Sequence, residues 1–335
     1  MHVKNRRKRS RELLQRKHAS FQFGPRLGLT VFLCLRLLVN LPAVQTPGLS
    51  PQEPRAAFRA GVDVVSLNVT VRNHSNKVVP DLEAADFAVF EDGRPQPLIE
   101  VSRRRLPLSL SFLMDSSSSM ADKLVMAQAA ASEFVRRLGA DDQAAVVTFD
   151  TRVQVLQPFT NDHASLERAT HSVKAGGSTA LFDAIYVALK DLERVKASAP
   201  EDIRRQAIVV LSDGDDTASR LTFDDVRDLA KRSHTSIYAI AIRSNIAPGV
   251  RRDSEGDFVM RHLAQDTGGT AFFPQEAREL PRIYREVADE LASEYFVAYT
   301  STNGLHDGKW RNVSVRVARG DTIARTRPGY FAPAQ

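Results

Sequence analysis

Between residues 106 and 291, short apolar runs alternate with segments of helical period, and this alternation leaves few architectures open. Residues 110–114, 143–149, 206–211 and 236–242 read as strands rich in Val, Ile, Leu, Ala and Phe. Residues 121–138, 164–173, 181–195 and 223–232 read as helices, and 278–291 carries a helical stripe at Leu280, Ile283, Tyr284, Val287 and Leu291. Residues 153–156 are expected to form an edge strand. Strands joined by helices of this length pair in parallel, and the helices cover both faces of the sheet. The expected fold class is therefore α/β, a doubly wound, mostly parallel sheet, over residues 105–293. Such sheets place ligands at the carboxyl ends of their strands.

The flanks have a different period. Residues 62–71 alternate apolar and polar, 73–77 read as a turn, 85–90 as a second strand, and Glu91-Asp92-Gly93-Arg94-Pro95 as a tight turn leading to 98–101. About forty residues are marginal as a separate core. Alternation returns at 295–299, 310–317 and 322–326. We expect residues 62–104 and 294–335 to combine in one small flanking β subdomain, because neither piece is large enough alone.

Charge is concentrated at the amino terminus. Residues 1–26 hold nine basic side chains against the single acid Glu12, a charge of +8, which leaves −2 for the remainder of a chain whose total is +6. Residues 27–44 follow as an apolar stretch interrupted by Arg36, Asn40 and Pro42. A basic segment abutting an apolar one reads as an export signal or an amino-terminal membrane anchor, here spanning residues 1–45. Residues 46–61 read as a proline-rich linker. The protein is expected to be exported, and to be periplasmic, cell-envelope or secreted, either released or anchored through 27–44. With the excess charge confined to this segment, nucleic acid is not an expected partner. Cys34, the one cysteine, lies inside the apolar stretch, and Leu33 before it is too bulky for a good lipoprotein cleavage site. A chain processed after this stretch has no disulfide and no thiolate chemistry.

Three polar loops follow predicted strands or a glycine-rich turn: Asp115-Ser116-Ser117-Ser118-Ser119, Gly176-Gly177-Ser178-Thr179, and Ser212-Asp213-Gly214-Asp215-Asp216. Hydroxyls and carboxylates without thiolates or paired histidines suit a hard divalent cation: Mg²⁺ best, with Mn²⁺ or Ca²⁺ as alternatives. The candidate metal ligands are Asp115, Ser117, Ser119, Thr179 and Asp213. Each loop taken alone has a simpler reading. Asp115 and Ser119 suit helix caps, the glycine pair suits a turn, and the acids after Asp213 lack the twelve-residue spacing of a calcium loop. Asp215 and Asp216 are expected to be solvated, and Asp183 to support the start of its helix. His163, His171, His234 and His262 are isolated and form no ligand pair.

Asp115-x-Ser117-x-Ser119, the Gly-Gly-Ser-Thr179-Ala-Leu-Phe-Asp turn and Val-Leu-Ser-Asp213-Gly together resemble the metal-ion-dependent adhesion site of von Willebrand factor type A domains. The flanking Asp86-Phe-x-Val-Phe-Glu-Asp-Gly, Glu294-Tyr-Phe-Val-Ala-Tyr and Arg327-Pro-Gly-Tyr-Phe resemble exported bacterial proteins related to that family. The resemblance implies a Rossmann-like fold, direct coordination by the serines, a threonine direct or water-bridged, and aspartates often acting through water. Ser178 stands where many relatives run Gly-Gly-Thr, so either Ser178 or Thr179 could face the metal; the following Ala-Leu-Phe-Asp favours Thr179.

A hydroxyl-rich set leaves the ion under-neutralised, so an open position favours a carboxylate from outside. The expected function is a divalent-metal-dependent protein-binding module, for adhesion or assembly, that captures a Glu or Asp of a partner, and not an enzyme. One alternative is a Mg²⁺-dependent phosphatase or hydrolase with Asp115 as nucleophile. Position 117 is serine where a second acid would be wanted, and the chain has no Gly-x-Ser-x-Gly elbow, P-loop or His-Glu-x-x-His. Another alternative is a scaffold with a vestigial metal site. The export reading is checked by mass spectrometry of the mature amino terminus: a chain cut or membrane-held within residues 27–45 is expected, and an intact Met1 in soluble cytosol overturns it.

Overall fold

The apolar runs become the inner strands of one sheet, and the alternating flanks become two more. A computed structural model describes residues 63–103, 105–199, 202–213, 215–242 and 255–334. The expected signal or anchor, the linker and Cys34 lie outside the described residues. In chain order the strands of the amino-terminal flank are β1 (Val64–Asn73), β2 (Phe87–Glu91), β3 (Arg94–Gln96) and β4 (Leu98–Ser102). Next come β5 (Leu108–Asp115), α1 (Leu124–Val135), β6 (Gln143–Phe149), β7 (Val153–Thr160), α2 (His163–Ser172) and α3 (Leu181–Ser198). These are followed by β8 (Arg205–Ser212), α4 (Phe223–Arg232), β9 (Thr235–Ala241), α5 (Glu255–Thr267), β10 (Ala271–Phe272) and α6 (Leu280–Ser293). The chain closes with β11 (Tyr295–Thr300), β12 (Trp310–Val317), β13 (Thr322–Arg325) and β14 (Gly329–Phe331). Among the described residues no helix is long and apolar enough to cross a membrane.

The fold class is α/β. Six strands in the order β10-β9-β8-β5-β6-β7 form a sheet that is parallel except for the antiparallel edge strand β7. All eight residues of β5 are buried, as a strand with neighbours on both edges and helices on both faces requires. Its alternation sorts the two cores. Leu108, Leu110, Phe112 and Met114 pack with α1, α2 and α6, while Leu113 packs with α3, α4 and α5. Small Ser109 and Ser111, and Asp115 at the strand's end, occupy the remaining buried positions.

Some boundaries differ from the sequence reading. The helix expected over 121–138 is regular only from Leu124 to Val135. A 3₁₀ turn, Ser118–Met120, precedes it, and three-residue bonds from Arg137 N to Phe134 O and from Leu138 N to Val135 O tighten its end. The edge strand β7 runs on to Thr160 through Pro158, a residue tolerated there because an edge strand need not donate on its outer side. α5, β10 and β14 were not anticipated, and Arg94 and Pro95, read as part of a turn, open strand β3 and pair with Glu91 and Phe90 of β2. The buried stripe of α5 includes Gly256, Asp257 and Thr267, which blur its apolar period, and β10 and β14 are only two and three residues long.

The flanks interleave strand by strand. One antiparallel sheet has the order β13-β1-β11-β4 and the other β14-β12-β2-β3. β1 thus lies between β11 and β13. Val65, Leu67, Val69 and Val71 of β1 share a core with Phe87 and Val89 of β2, Tyr295, Val297 and Tyr299 of β11, and Val313 of β12. The tight turn at Asp92-Gly93 has φ of 47° and 79°, the positive values that a two-residue hairpin demands. Glu91, buried between the sheets, accepts hydrogen bonds from Tyr299 Oη (2.8 Å), Tyr330 Oη (3.0 Å) and Ser301 Oγ (2.7 Å).

The β sheets join the α/β part through α6. Glu290 is fully buried and pairs with Arg72 of β1 at 2.8 Å and with Arg325 of β13. Removing the carboxylate leaves Arg325 without a carboxylate partner among the described residues and Arg72 with only the longer pair to Glu286 at 3.5 Å, although their side chains are only 29% and 12% exposed. Glu290→Ala is therefore expected to cost about 3–5 kcal/mol in urea unfolding. A loss under about 1 kcal/mol would class the network with screened surface pairs.

Candidate metal centre

The winding of the sheet reverses beside β5. The chain leaves β5 through α1 to reach β6 on one side, and later returns through α3 to place β8 on the other. The loops after β5 and β8 therefore depart toward opposite faces and open a crevice at the carboxyl ends of the two strands. Asp115 is the last residue of β5, and Asp213 directly follows β8.

Asp115 is 1% exposed. Its Oδ1 accepts the Ser117 backbone N–H at 2.8 Å and its Oδ2 accepts Ser212 Oγ at 2.5 Å. Burial pushes its carboxyl above the usual range; the Ser212 and Ser117 hydrogen bonds oppose this, and the Asp213 charge adds to it. Among the described residues no lysine, arginine or histidine pairs with Asp115, and none figures among the causes of its shift. Ser117 is buried and Ser119 exposed, and their Oγ atoms are hydrogen-bonded at 2.9 Å.

Backbone bonds sew the three loops together. Gly176 N–H donates to Ser116 O (2.7 Å) and Ser118 N–H to Gly177 O (3.1 Å), joining the first loop to the second. Thr179 N–H donates to Thr217 Oγ1 (3.0 Å) while Thr179 O accepts from Thr217 N (2.8 Å), joining the second to the third. A fourth segment, the turn between β6 and β7, supports the second loop: Ala180 N–H donates to Asp150 O and Ser178 N–H to Thr151 Oγ1. Gly177 has φ of 80°, and a Cβ there would lie 2.8 Å from Thr151 Oγ1, so this position requires glycine. Thr179 is buried and Ser178 exposed.

Two acids have roles that the sequence reading did not give them. Asp216, expected to be solvated, is half-buried. Its Oδ2 accepts Phe182 N–H from the first turn of α3 (3.0 Å) and Ser219 Oγ (2.5 Å), and its Oδ1 accepts Ser219 N–H. Asp183, expected to support its own helix, reaches across to accept the N–H groups of Arg220 and Leu221. The two carboxylates clamp α3 against the loop between β8 and α4. The open backbone donors at a helix start made such a partner predictable in kind, but the partner lies more than thirty residues away. Ser212, which donates to Asp115, was also missed; its signal was a hydroxyl as the last residue of a buried strand. Asp215 is exposed, and its carboxyl is raised by desolvation and by the charges of Asp213, Asp257 and Glu255.

The donors fit a hard cation. Neighbouring oxygens of a Mg²⁺ octahedron lie about 2.9 Å apart at metal–oxygen distances of about 2.0–2.1 Å, which is the spacing of Ser117 Oγ and Ser119 Oγ. Among the described residues no three His, Cys, Asp or Glu side chains form a metal-holding group, and the candidate set instead combines two carboxylates with three hydroxyls.

Residues 110–215 match the von Willebrand factor type A domain family. Among curated proteins, the chain is 31% identical over 193 residues to an uncharacterized protein of Synechocystis sp., covering 57% of this chain and 43% of that protein. It is 24% identical over 253 residues to a UPF0353 protein of Nocardia farcinica, covering 67% of this chain and 72% of that protein. The match thus takes in less than half the length of the Synechocystis relative. Among solved structures, a von Willebrand factor type A protein from Catenulispora acidiphila superposes with a TM-score of 0.47 at 14% identity, over 82% of this chain and 76% of that one.

The Asp216 clamp is testable. Asp216→Ala removes an acceptor shared by three donors and is expected to cost about 1–3 kcal/mol in chemical unfolding. Asp215→Asn, at an exposed position, is expected to change stability by less than about 0.5 kcal/mol. Equal losses for the two variants would remove Asp216 from the structural role.

Proposed function

We propose that this von Willebrand factor type A domain is a divalent-metal-dependent protein-binding module of an exported protein. Domains of this family commonly bind a metal at the adhesion site and serve in protein–protein interaction. In this reading Ser117, Ser119 and Thr179 supply hydroxyls to the ion. Asp115 and Asp213 supply negative charge, directly or through water, and Mg²⁺ is the preferred ion. The observation that carries the reading is the buried Asp115 carboxylate, raised by the nearby Asp213 charge and with no basic side chain paired to it among the described residues, and two serine hydroxyls at octahedral spacing in the same loop. A buried acid without a basic partner is the environment that a cation stabilises.

When bound, the ion supplies an electrophilic position that a partner's Glu or Asp can complete. The chain's own residues fix where that position lies. Ser212 and the Ser117 N–H orient the Asp115 carboxylate, and the backbone bonds that tie the glycine turn to the serine loop support the reading in which Thr179 joins it. A nucleophilic Asp115 is disfavoured, because the carboxylate is buried and each of its oxygens already accepts a hydrogen bond. No histidine belongs to the hydrogen-bond network of the three loops among the described residues.

The test combines metal and partner. Saturating Mg²⁺ at about 100 times its dissociation constant is expected to add roughly 2.7 kcal/mol of stability, seen as a rise in Tm. Asp115→Ala is expected to abolish both that rise and the Mg²⁺-dependent, EDTA-reversed capture of a partner from envelope extract. Thr179→Ala is expected to reduce capture more than stability. Calorimetry showing wild-type metal affinity in an Asp115→Ala/Asp213→Ala double variant would refute the assignment. A Tm indifferent to divalent ions would leave the domain a metal-free scaffold.

A further inference from the structure

The opposite edge of the parallel sheet carries a second feature. The amino-terminal ends of β5, β6, β8 and β9, with Ser109, Gln143, Gln206 and Thr235, form one wall of a cleft of about 870 Å³. Strands β1, β11 and β14 of the flanking sheets form another, through Val64, Phe296 and Phe331. The volume lies within the range of small-molecule sites, roughly 300–1,000 Å³. Two of the molecule's exposed large apolar side chains, Val64 at 55% and Ile203 at 69%, line it.

The charges in the cleft are unevenly paired. Its acids are engaged: Asp202 with Arg204, Asp266 with Arg227 and Lys231, and Asp63 with His306. Arg205 is held by Glu294 at 2.9 Å. Arg327 and Lys196 have no carboxylate partner among the described residues. Arg327 Nη1 donates to His234 Nδ1 at 3.0 Å, which requires that nitrogen to be unprotonated. Arg327 Nε and the adjacent Thr326 Oγ1 are buried and have no hydrogen-bond partner. Arg327 is half-buried, with its Nε enclosed and its Nη1 side toward the cleft, and a guanidinium so placed without a counter-charge is costly; an oxyanion is the group that offsets the cost most directly.

We propose that this cleft binds an amphiphilic organic anion, with its carboxylate or phosphate headgroup at Arg327, Thr326 and Lys196 and its apolar body along Val64, Ile203, Phe296 and Phe331. The His234 imidazole is a built-in reporter. Desolvation, then the Arg327 and Lys196 charges, push it down to about 4, and an anion beside those cations raises it. The groups facing His234 are Arg327 after β13 and Lys196 on α3, and neither is an acid. The site lies at the opposite ends of the strands from Asp115, so it stands independently of the metal reading.

The experiment is calorimetry on the full chain in EDTA, which silences any metal site. Decanoate and decyl phosphate probe the two headgroups, decanol lacks the charge, and acetate and inorganic phosphate lack the apolar body. At least one charged amphiphile is expected to bind about tenfold or more tighter than decanol and than its own tail-less ion. The better of decanoate and decyl phosphate identifies the headgroup. Lys196→Gln, at an exposed position without a partner, keeps the fold and is expected to weaken that binding several-fold; Arg327→Gln is expected to weaken it further. The His234 ring resonances are expected to titrate at higher pH with the probe than without it. Decanol binding as tightly as both anions, no saturable binding of any probe, or unchanged affinity in Lys196→Gln with an unmoved His234 titration would each overturn the proposal.

Discussion

A carboxylate buried at the end of the central strand is the constraint on which the rest depends. β5 has paired neighbours on both edges and helices on both faces, so all eight of its residues are buried. Ending such a strand in aspartate is unfavourable unless the surroundings satisfy the charge. The neighbouring strand answers with Ser212, and the loop turns back so that Ser117 donates its backbone N–H. The serine loop then cannot be a free linker. Its backbone is bonded to the glycine turn on one side and to the end of β6 on the other, and Ser117 and Ser119 are left with their hydroxyls together.

The same logic extends outward from the crevice. Asp216 and Asp183 exchange bonds between α3 and the loop after β8, each satisfying backbone donors of the other's segment. The second loop is thereby fixed from two directions, by Asp150 and Thr151 on one side and by Thr217 on the other. A rigid set of short polar loops on rigid strands is what a binding site needs, because donors held in place lose little entropy when a ligand arrives. At the far edge of the sheet the flanking strands close over the strand ends, and the fit leaves a cleft with Arg327 and Lys196 on its walls. Glu290, between Arg72 and Arg325, holds those strands to α6. The two ends of the strands therefore differ in chemistry: carboxylates and hydroxyls gather at one, and at the other the acids are paired while Arg327 and Lys196 are left beside apolar side chains.

Much of this was legible in the chain, because the physics involved is local. Period-two and period-3.6 patterns report which side of an element faces the core, so the strands at 143–149 and 206–211 and the helix Phe223–Arg232 could be read directly. The doubly wound order followed from the length of the connections, and that order carried Asp115 and Asp213 to adjacent strand ends. The elements that escaped were those whose pattern is weak. α5 buries a glycine, an aspartate and a threonine, and β10 and β14 are too short to show a period.

Residue type, spacing and strand-to-loop position were fixed by the sequence alone, and they picked out Asp115, Ser117, Ser119, Thr179 and Asp213. Tertiary structure decided which polar side chains satisfy one another across long separations. Asp216 clamps a helix rather than facing water, Ser212 rather than a basic side chain answers Asp115, and Glu91 draws three hydroxyls from β11, the residues after it and β14. The cleft at Arg327 is also a product of packing. The residues that line it come from strands, helices and loops at both ends of the described chain. Local periodicity reports the direction of a side chain but not the partner it meets, and partners for buried polar groups are set only when distant segments pack.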